Sequence, residues 1–320
     1  MSKPFVVVGA YASLPAERKD QSAYYELLDE HSWISGTEIP FPGDLADPQQ
    51  RNWLARHVPA AWHNNTITAI PGTMQNVWKN NTFGIASPIE DGRKAALKFF
   101  EELRNAIVDF NQIRGNNDIS YVEIHTAPTQ HAETQACKRS LETLLSWDWA
   151  GAKLVIEHCD RFIENQKPEK GFLPIQDEIV LAQEFGIGIT VNWGRSVLED
   201  RNTQTALEHI RAAVQAEVLK GVMFSGAGPE ETQYGYSWID GHLPMNPDEP
   251  TSLMTAQEIL QCVKAANITG LRKVDENAQS MPNTEDLAYV GPKICVPKNA
   301  SITERYNYLA HIYDAITEAL

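Results

Sequence analysis

The 320-residue sequence predicts an α/β fold of the (β/α)8 barrel class, and three observations lead to that prediction. Short apolar runs alternate with long amphipathic runs, which is the order expected for parallel strands joined by crossover helices. There are eight of each, and the chain exceeds the ~250 residues that such a barrel needs, so some loops are expected to be long. The first strand lacks a following GxGxxG pattern, which makes a doubly wound open sheet the second choice.

The predicted strands and helices recur along the whole chain. Strands are predicted at residues 5–11, 36–41, 66–70, 119–125, 153–158, 188–193, 220–225 and 270–274. Helices are predicted at residues 22–30, 49–62, 93–113, 138–147, 176–185, 205–218, 255–266 and 303–320. The run 93–113 shows the helical period most clearly. Its apolar positions are Ala96, Leu97, Phe100, Leu103, Ile107 and Phe110.

The chain is predicted to form a single (β/α)8 barrel domain over residues 1–320, because no linker-like or repetitive segment interrupts it. Two long segments, 72–92 and 226–250, follow the third and seventh predicted strands. In a barrel, loops after strands form the C-terminal face, where active sites lie. The second segment carries Trp238 and His242, candidate substrate contacts in a lid. Two surface loops without function are the alternative.

Composition narrows the classes of partner. The net charge is −15 and the pI is near 5.0, so the chain repels phosphate backbones and anionic lipid surfaces. No apolar run approaches the ~20 residues that span a bilayer. Four scattered cysteines without CxxC spacing suit a reducing compartment. We therefore expect a cytoplasmic protein that binds neither nucleic acid nor membrane; a homodimer is expected only as the commonest oligomer.

Alternation of side chains across each strand identifies candidate polar residues inside the barrel. If the apolar residues pack outward on helices, the inward polar set is Glu38, Glu123, His125, Asn192 and Ser225. Strand five is apolar throughout, so alternation does not decide whether Glu157 or His158 faces inward. If Val274 packs outward on helices, the predicted eighth strand turns Lys273 and Asp275 inward. Such groups at a barrel rim indicate a polyol or carbonyl site.

Each of these residues also has a structural interpretation. Glu123 could pair with Lys273 as an ion bridge inside the barrel. His125 could bond a backbone carbonyl at the start of its loop. His158 could pack between its strand and a helix.

Three segments resemble the xylose-isomerase-like TIM barrel superfamily, which includes sugar isomerases, ketose 3-epimerases and endonuclease-IV-type nucleases. GTEIP (36–40) resembles the second strand of that superfamily, and FGIASPIEDGRKAALKFFEEL (83–103) resembles the loop and helix after its third. LVIEHCDRF (154–162) resembles the strand-five motif, whose glutamate binds a divalent metal and shuttles protons. The resemblance implies that Glu157 is the inward residue.

The sequence departs from that superfamily at the other expected ligands. The resemblance implies an aspartate on strand six with a histidine three residues later, a histidine on strand seven and a glutamate on strand eight. The matching segments hold Asn192 and Arg195, then VMFSGAG (222–228), and GLRKVDEN (270–277). A divalent metal such as Mn²⁺ or Mg²⁺ is thus implied while most of its ligand set is missing, and we assign no metal ligand. Lys273 or Arg195 could supply the positive charge instead.

We expect an enzyme that isomerises or epimerises a small-molecule carbohydrate, a sugar or sugar acid. Glu157 takes a proton from the carbon next to a carbonyl, and Lys273 and His125 complete the predicted catalytic set. The predicted substrate-binding residues are Glu38, Asn192, Arg195, Ser225, His158, Trp238 and His242. One alternative is a catalytically degenerate, metal-free sugar-binding barrel. An endonuclease-IV-like nuclease is less favoured, because the chain is acidic.

Overall fold

The strands follow one another around a closed parallel barrel in chain order, as the sequence predicts. The computed structural model describes residues 3–272 and 287–320. The strands are β1 (Phe5–Val8), β2 (Gly36–Pro40), β3 (Asn65–Thr68), β4 (Ile119–Ile124), β5 (Lys153–His158), β6 (Gly188–Asn192), β7 (Leu219–Phe224) and β8 (Tyr289–Pro292). The first seven overlap the predicted runs, and the eighth does not.

Helices connect the strands, and each predicted helix is present with ends shifted by a few residues. In the described ranges they are α1 (Ala10–Ser13), α2 (Arg18–Asp29), α3 (Gly43–Ala46), α4 (Pro48–His57), α5 (Ile70–Lys79), α6 (Glu90–Arg114), α7 (Thr134–Leu145), α8 (Ile175–Phe185), α9 (Trp193–Asp200), α10 (Thr203–Gln215), α11 (Ala256–Ala265) and α12 (Ile302–Glu318). None of these helices, drawn from residues 3–272 and 287–320, combines the length and hydropathy that a bilayer crossing requires.

The chain divides into two compact units, which we call unit 1 and unit 2. Unit 1 comprises Met1–Glu38, Pro59–Trp62 and Val191–Leu320, and unit 2 comprises Ile39–Val58 and His63–Thr190. In unit 1, β1 pairs in parallel with β2 and β8, and β8 pairs with β7. In unit 2, β4 pairs in parallel with β3 and β5. The single domain over residues 1–320 stays a prediction.

Helix α6 shows how the apolar period buries one face of a helix. Five of its six predicted apolar positions are buried, while Leu97 is half-buried. Phe99, outside the predicted set, is buried as well. The helix ends at Gly115, whose φ of 75° is the left-handed conformation that glycine adopts most easily.

The two segments predicted as long loops differ from each other. The first part of segment 72–92 is helical, because Ile70–Lys79 forms α5, with Pro71 in the first turn where its missing N–H costs nothing. Segment 226–250, which the structure describes throughout, contains neither a helix nor a strand. Its base is closed by paired backbone hydrogen bonds between Gly226 and Leu243, at 2.8 and 2.9 Å.

The prediction of strand eight at 270–274 is wrong. Residues 270–272 belong to no strand, Lys273 lies outside the described residues, and the eighth strand is Tyr289–Pro292. The sequence concealed this strand because glycine and proline are depleted in strands and normally indicate turns. Gly291 is needed because a Cβ there would lie 1.9 Å from the Val7 carbonyl oxygen of β1.

We therefore predict that Gly291→Ala destabilises the protein by ~3 kcal/mol or more, because the added methyl group forces β1 and β8 apart. The comparison variant is Gly115→Ala, where a Cβ meets nothing within 4 Å and only the left-handed conformation costs energy, about 1 kcal/mol. Urea denaturation measures both. Equal losses in the two variants would contradict the close approach at Gly291.

Candidate active site

Glu157 lies at the carboxyl end of β5 and is fully buried. Its Oε2 atom is 2.8 Å from Nε2 of His125, the residue after β4, and accepts a 3.2 Å hydrogen bond from the Thr68 hydroxyl at the end of β3. Three neighbouring strands of unit 2 therefore supply the carboxylate and its two partners. These bonds to one oxygen fix the orientation of the carboxylate and favour its ionised form.

A second buried carboxylate, Glu123 of β4, lies near the first. Carboxylate oxygens of Glu123 and Glu157 are within 4.8 Å of each other. Two ionised carboxylates repel at this separation, most strongly in a buried environment. The arrangement therefore favours positive charge or a shared proton beside Glu157, which suits a group that exchanges protons.

His158, the next residue along β5, has different partners. Its Nδ1 atom lies 2.6 Å from Oε2 of Glu178, in the first turn of α8. The Thr126 hydroxyl donates to the other Glu178 oxygen at 2.6 Å and accepts from the Leu173 backbone N–H at 3.3 Å. All three polar side chains of this network are fully buried. His158 thus contacts helix α8, whereas Glu157 contacts the neighbouring strand ends.

In unit 1, Glu38 of β2 is paired with a residue that sequence analysis missed. The Lys293 ammonium, directly after β8, lies 3.0 Å from Oε1 and 2.8 Å from Oε2 of Glu38. Both side chains are fully buried. The Nζ atom is also 5.9 Å from the ring centroid of Tyr11, within cation–π range. Sequence analysis predicted no ion-pair partner for Glu38, because strand eight was misplaced and Lys293 was not placed at its end.

Two predicted substrate-binding residues, Asn192 and Ser225, lie together. The Ser225 hydroxyl donates to Oδ1 of Asn192 at 2.6 Å. The same Asn192 oxygen accepts the backbone N–H of Arg195 at 3.3 Å and so caps helix α9. The close packing requires Gly194, since a Cβ there would lie 2.6 Å from the Ser225 carbonyl oxygen.

Arg195 connects helix α9 to segment 226–250. Its Nε donates to Asp240 at 3.0 Å, and both side chains are buried. His242 lies beside the same carboxylate, with Nδ1 3.3 Å from Oδ1 of Asp240. Trp238 is half-buried in this segment, and the Arg201 guanidinium carbon lies 5.5 Å from its ring centroid. The ion pair therefore anchors the segment that carries two predicted substrate contacts.

Two thiols of unit 1 are poor candidates for covalent catalysis. Burial raises the pKa of the Cys295 thiol to about 11, and the nearby Asp240 carboxylate adds to the shift. Burial likewise raises the pKa of Cys262 to about 12. Both thiols stay protonated near neutral pH, and the thiol is a far weaker nucleophile than the thiolate.

The fold is that of a TIM barrel of the xylose-isomerase-like kind. The chain belongs to the family described as "Domain of unknown function (DUF4862)", whose profile matches residues 7–308. A relative, Uncharacterized protein STM3670 of Salmonella typhimurium strain LT2, is 34% identical over 290 residues, covering 86% of this chain and 91% of that protein.

Solved structures share the architecture at low identity. A D-tagatose 3-epimerase-like protein has a TM-score of 0.59 and 14% identity, covering 99% of both chains. AP endonuclease, family 2 from Brucella melitensis has a TM-score of 0.52 and 12% identity, covering 95% of this chain and 96% of that one. Xylose isomerase domain protein from Planctomyces limnophilus has a TM-score of 0.51 and 9% identity, covering 99% and 98%. At these identities the likeness shows the fold.

The metal site implied by the superfamily resemblance does not fit unit 1. There the ends of β6, β7 and β8 hold Asn192, Ser225 and Lys293. The Asn192 side-chain oxygen already accepts two hydrogen bonds, and an ammonium has no lone pair to offer a metal. We therefore derive no catalytic step through a metal ion.

The Lys293–Glu38 pair predicts strong energetic coupling. Lys293→Met should lower the free energy of unfolding by ~3–5 kcal/mol, because it leaves a buried carboxylate without its ammonium. Adding Glu38→Gln should recover part of this loss, measured by guanidinium denaturation as a double-mutant cycle. The exposed pair Lys94 and Glu90, 3.8 Å apart, serves as the control and should show no coupling. Additive effects at Lys293 and Glu38 would refute the pair.

Proposed function

We propose that this protein is an enzyme that isomerises or epimerises a sugar or sugar acid, with Glu157 as the base. The observation that carries the proposal is the buried Glu157 carboxylate at the end of a barrel strand, oriented by His125 and Thr68. Active sites of TIM barrels lie at the carboxyl ends of the strands. The fold shared with a protein described as D-tagatose 3-epimerase-like supports the same class of substrate.

The reaction begins when Glu157 takes a proton from the carbon next to the substrate carbonyl. The electron pair of the broken C–H bond moves into the carbonyl, giving an enediolate, and Glu157 becomes neutral. Isomerisation then returns the proton to the former carbonyl carbon, while the hydroxyl proton on the neighbouring oxygen passes to the former carbonyl oxygen, so that the carbonyl group changes position. Epimerisation returns a proton to the opposite face of the original carbon, which requires a second donor.

His125 is proposed as the positioning partner of the base. Its Nε2–H bond to the carboxylate, across 2.8 Å, holds Glu157 ionised before proton abstraction. The Glu123 carboxylate, whose oxygens lie within 4.8 Å of those of Glu157, raises the energy of that ionised form and so makes the carboxylate more basic. The balance between these opposing effects sets how readily Glu157 takes the proton.

A second candidate function is a sugar-binding barrel that has lost its chemistry. It is favoured by the strand ends of unit 1, where Asn192, Ser225 and Lys293 stand at positions for which the superfamily resemblance implies metal ligands. Under either function the partner is a small carbohydrate. A cytoplasmic location and a homodimer stay predictions.

Exchange of substrate hydrogen with D₂O tests the role of Glu157 without knowledge of the product. Wild-type protein, incubated with a panel of aldoses, ketoses and uronates, should introduce deuterium next to the carbonyl of at least one sugar, detected by NMR. Glu157→Gln should slow this exchange by ~10²-fold or more, because the amide cannot accept the proton. Its melting temperature should fall about as far as that of Glu178→Gln, because both changes weaken bonds from a buried glutamate to a histidine and a threonine.

The matched control is Glu178→Gln, a second fully buried glutamate of unit 2. It should lose stability, because it weakens the bonds to His158 and Thr126, yet keep the exchange rate per folded molecule. Thermal stabilisation of the wild-type protein by a sugar, without deuterium incorporation in any, would favour the binding barrel. Equal exchange by Glu157→Gln and wild type would reject Glu157 as the base.

A further inference from the structure

Polar side chains at three strand ends of unit 1 are all held by other protein groups. Asn192 accepts from Ser225 and from the Arg195 backbone, at 2.6 and 3.3 Å. Lys293 contacts both oxygens of Glu38, at 3.0 and 2.8 Å. The polar side chains at these strand ends are therefore held by hydrogen bonds and by the Lys293 ammonium, in positions where a metal ion would otherwise hold them.

The position of Lys293 is fixed along its whole length. Its backbone N–H donates to the Phe224 carbonyl oxygen at 2.8 Å, as a continuation of the β7–β8 pairing. A Cβ at Gly9 would lie 2.9 Å from the Cα, Cβ and Cγ atoms of Lys293, so the backbone after β1 packs directly on its stem. An ammonium is strongly hydrated, and its full burial is stable only with charged and hydrogen-bonding partners.

We propose that Lys293 is the resident cation of unit 1 and replaces a divalent metal at the end of strand eight. The ammonium compensates the Glu38 carboxylate from within the chain, so this carboxylate needs no exchangeable ion. The inference goes beyond the proposed function, because it concerns how buried charge is compensated whether or not Glu157 acts as a base. Its consequence is that the folded protein is independent of divalent metals.

The first experiment uses the purified full-length wild-type chain. Elemental analysis should find far less than one equivalent of Mn, Mg, Zn, Co or Fe per chain. The melting temperature should be the same in EDTA and in millimolar MnCl₂. About one equivalent of bound metal, or a melting temperature that falls in EDTA, would overturn the proposal. A metal held by the Glu123 and Glu157 carboxylates of unit 2 would be detected in the same way, and it would equally overturn the independence from divalent metals.

The second experiment converts the cation into a metal ligand. Lys293→Glu places a carboxylate beside Glu38, so the variant should melt lower in EDTA and recover several degrees in MnCl₂. Lys298→Glu, the same charge change at a nearby exposed position, should show no response to MnCl₂. A folded Lys293→Glu variant without a manganese response would contradict the replacement. If this variant does not fold, the wild-type measurements decide the proposal alone.

Discussion

An ionised carboxylate inside a protein is stable only when it has a partner, and this constraint determines the arrangement of the strand ends. In unit 2, Glu157 lies against His125 and Glu178 against His158, 32 and 20 positions away in the sequence. In unit 1, Glu38 is held by Lys293, 255 positions away. Each pair joins elements that are distant in sequence, so the buried charges also tie strand ends to one another and to the first turn of helix α8.

Polar residues at the end of β5 and directly after it lie close together in sequence but have different structural roles. Glu157 contacts the neighbouring strand ends and His158 contacts helix α8. Asp160 accepts backbone N–H groups of Glu169, Lys170 and Gly171, at 2.9 to 3.3 Å, and so folds the connection after β5 onto itself. These bonds hold the connection and helix α8, whereas His125 and Thr68 hold the candidate base in the one orientation that proton abstraction requires.

The sequence predicts most of the fold because parallel strands and crossover helices carry strong periodic patterns. It does not reveal β8, because that strand contains Gly291, which close packing on β1 requires, and Pro292, and both residue types are depleted in strands. The alternation of side chains along β5 also does not show whether Glu157 or His158 faces the neighbouring strand ends. Only their partners, which are distant in sequence, distinguish the two residues. Lys293 was missed with its strand, and the Arg195–Asp240 pair across 45 positions follows from no local pattern.

A crystal structure of Glu157→Gln with the sugar or sugar acid that stabilises it most tests the central claim most directly. The account predicts that the carbon next to the carbonyl lies within ~3.5 Å of the substituted side chain at position 157, the distance at which a proton can transfer. A sugar bound in the barrel with that carbon remote from position 157, or bound elsewhere on the chain, would contradict it.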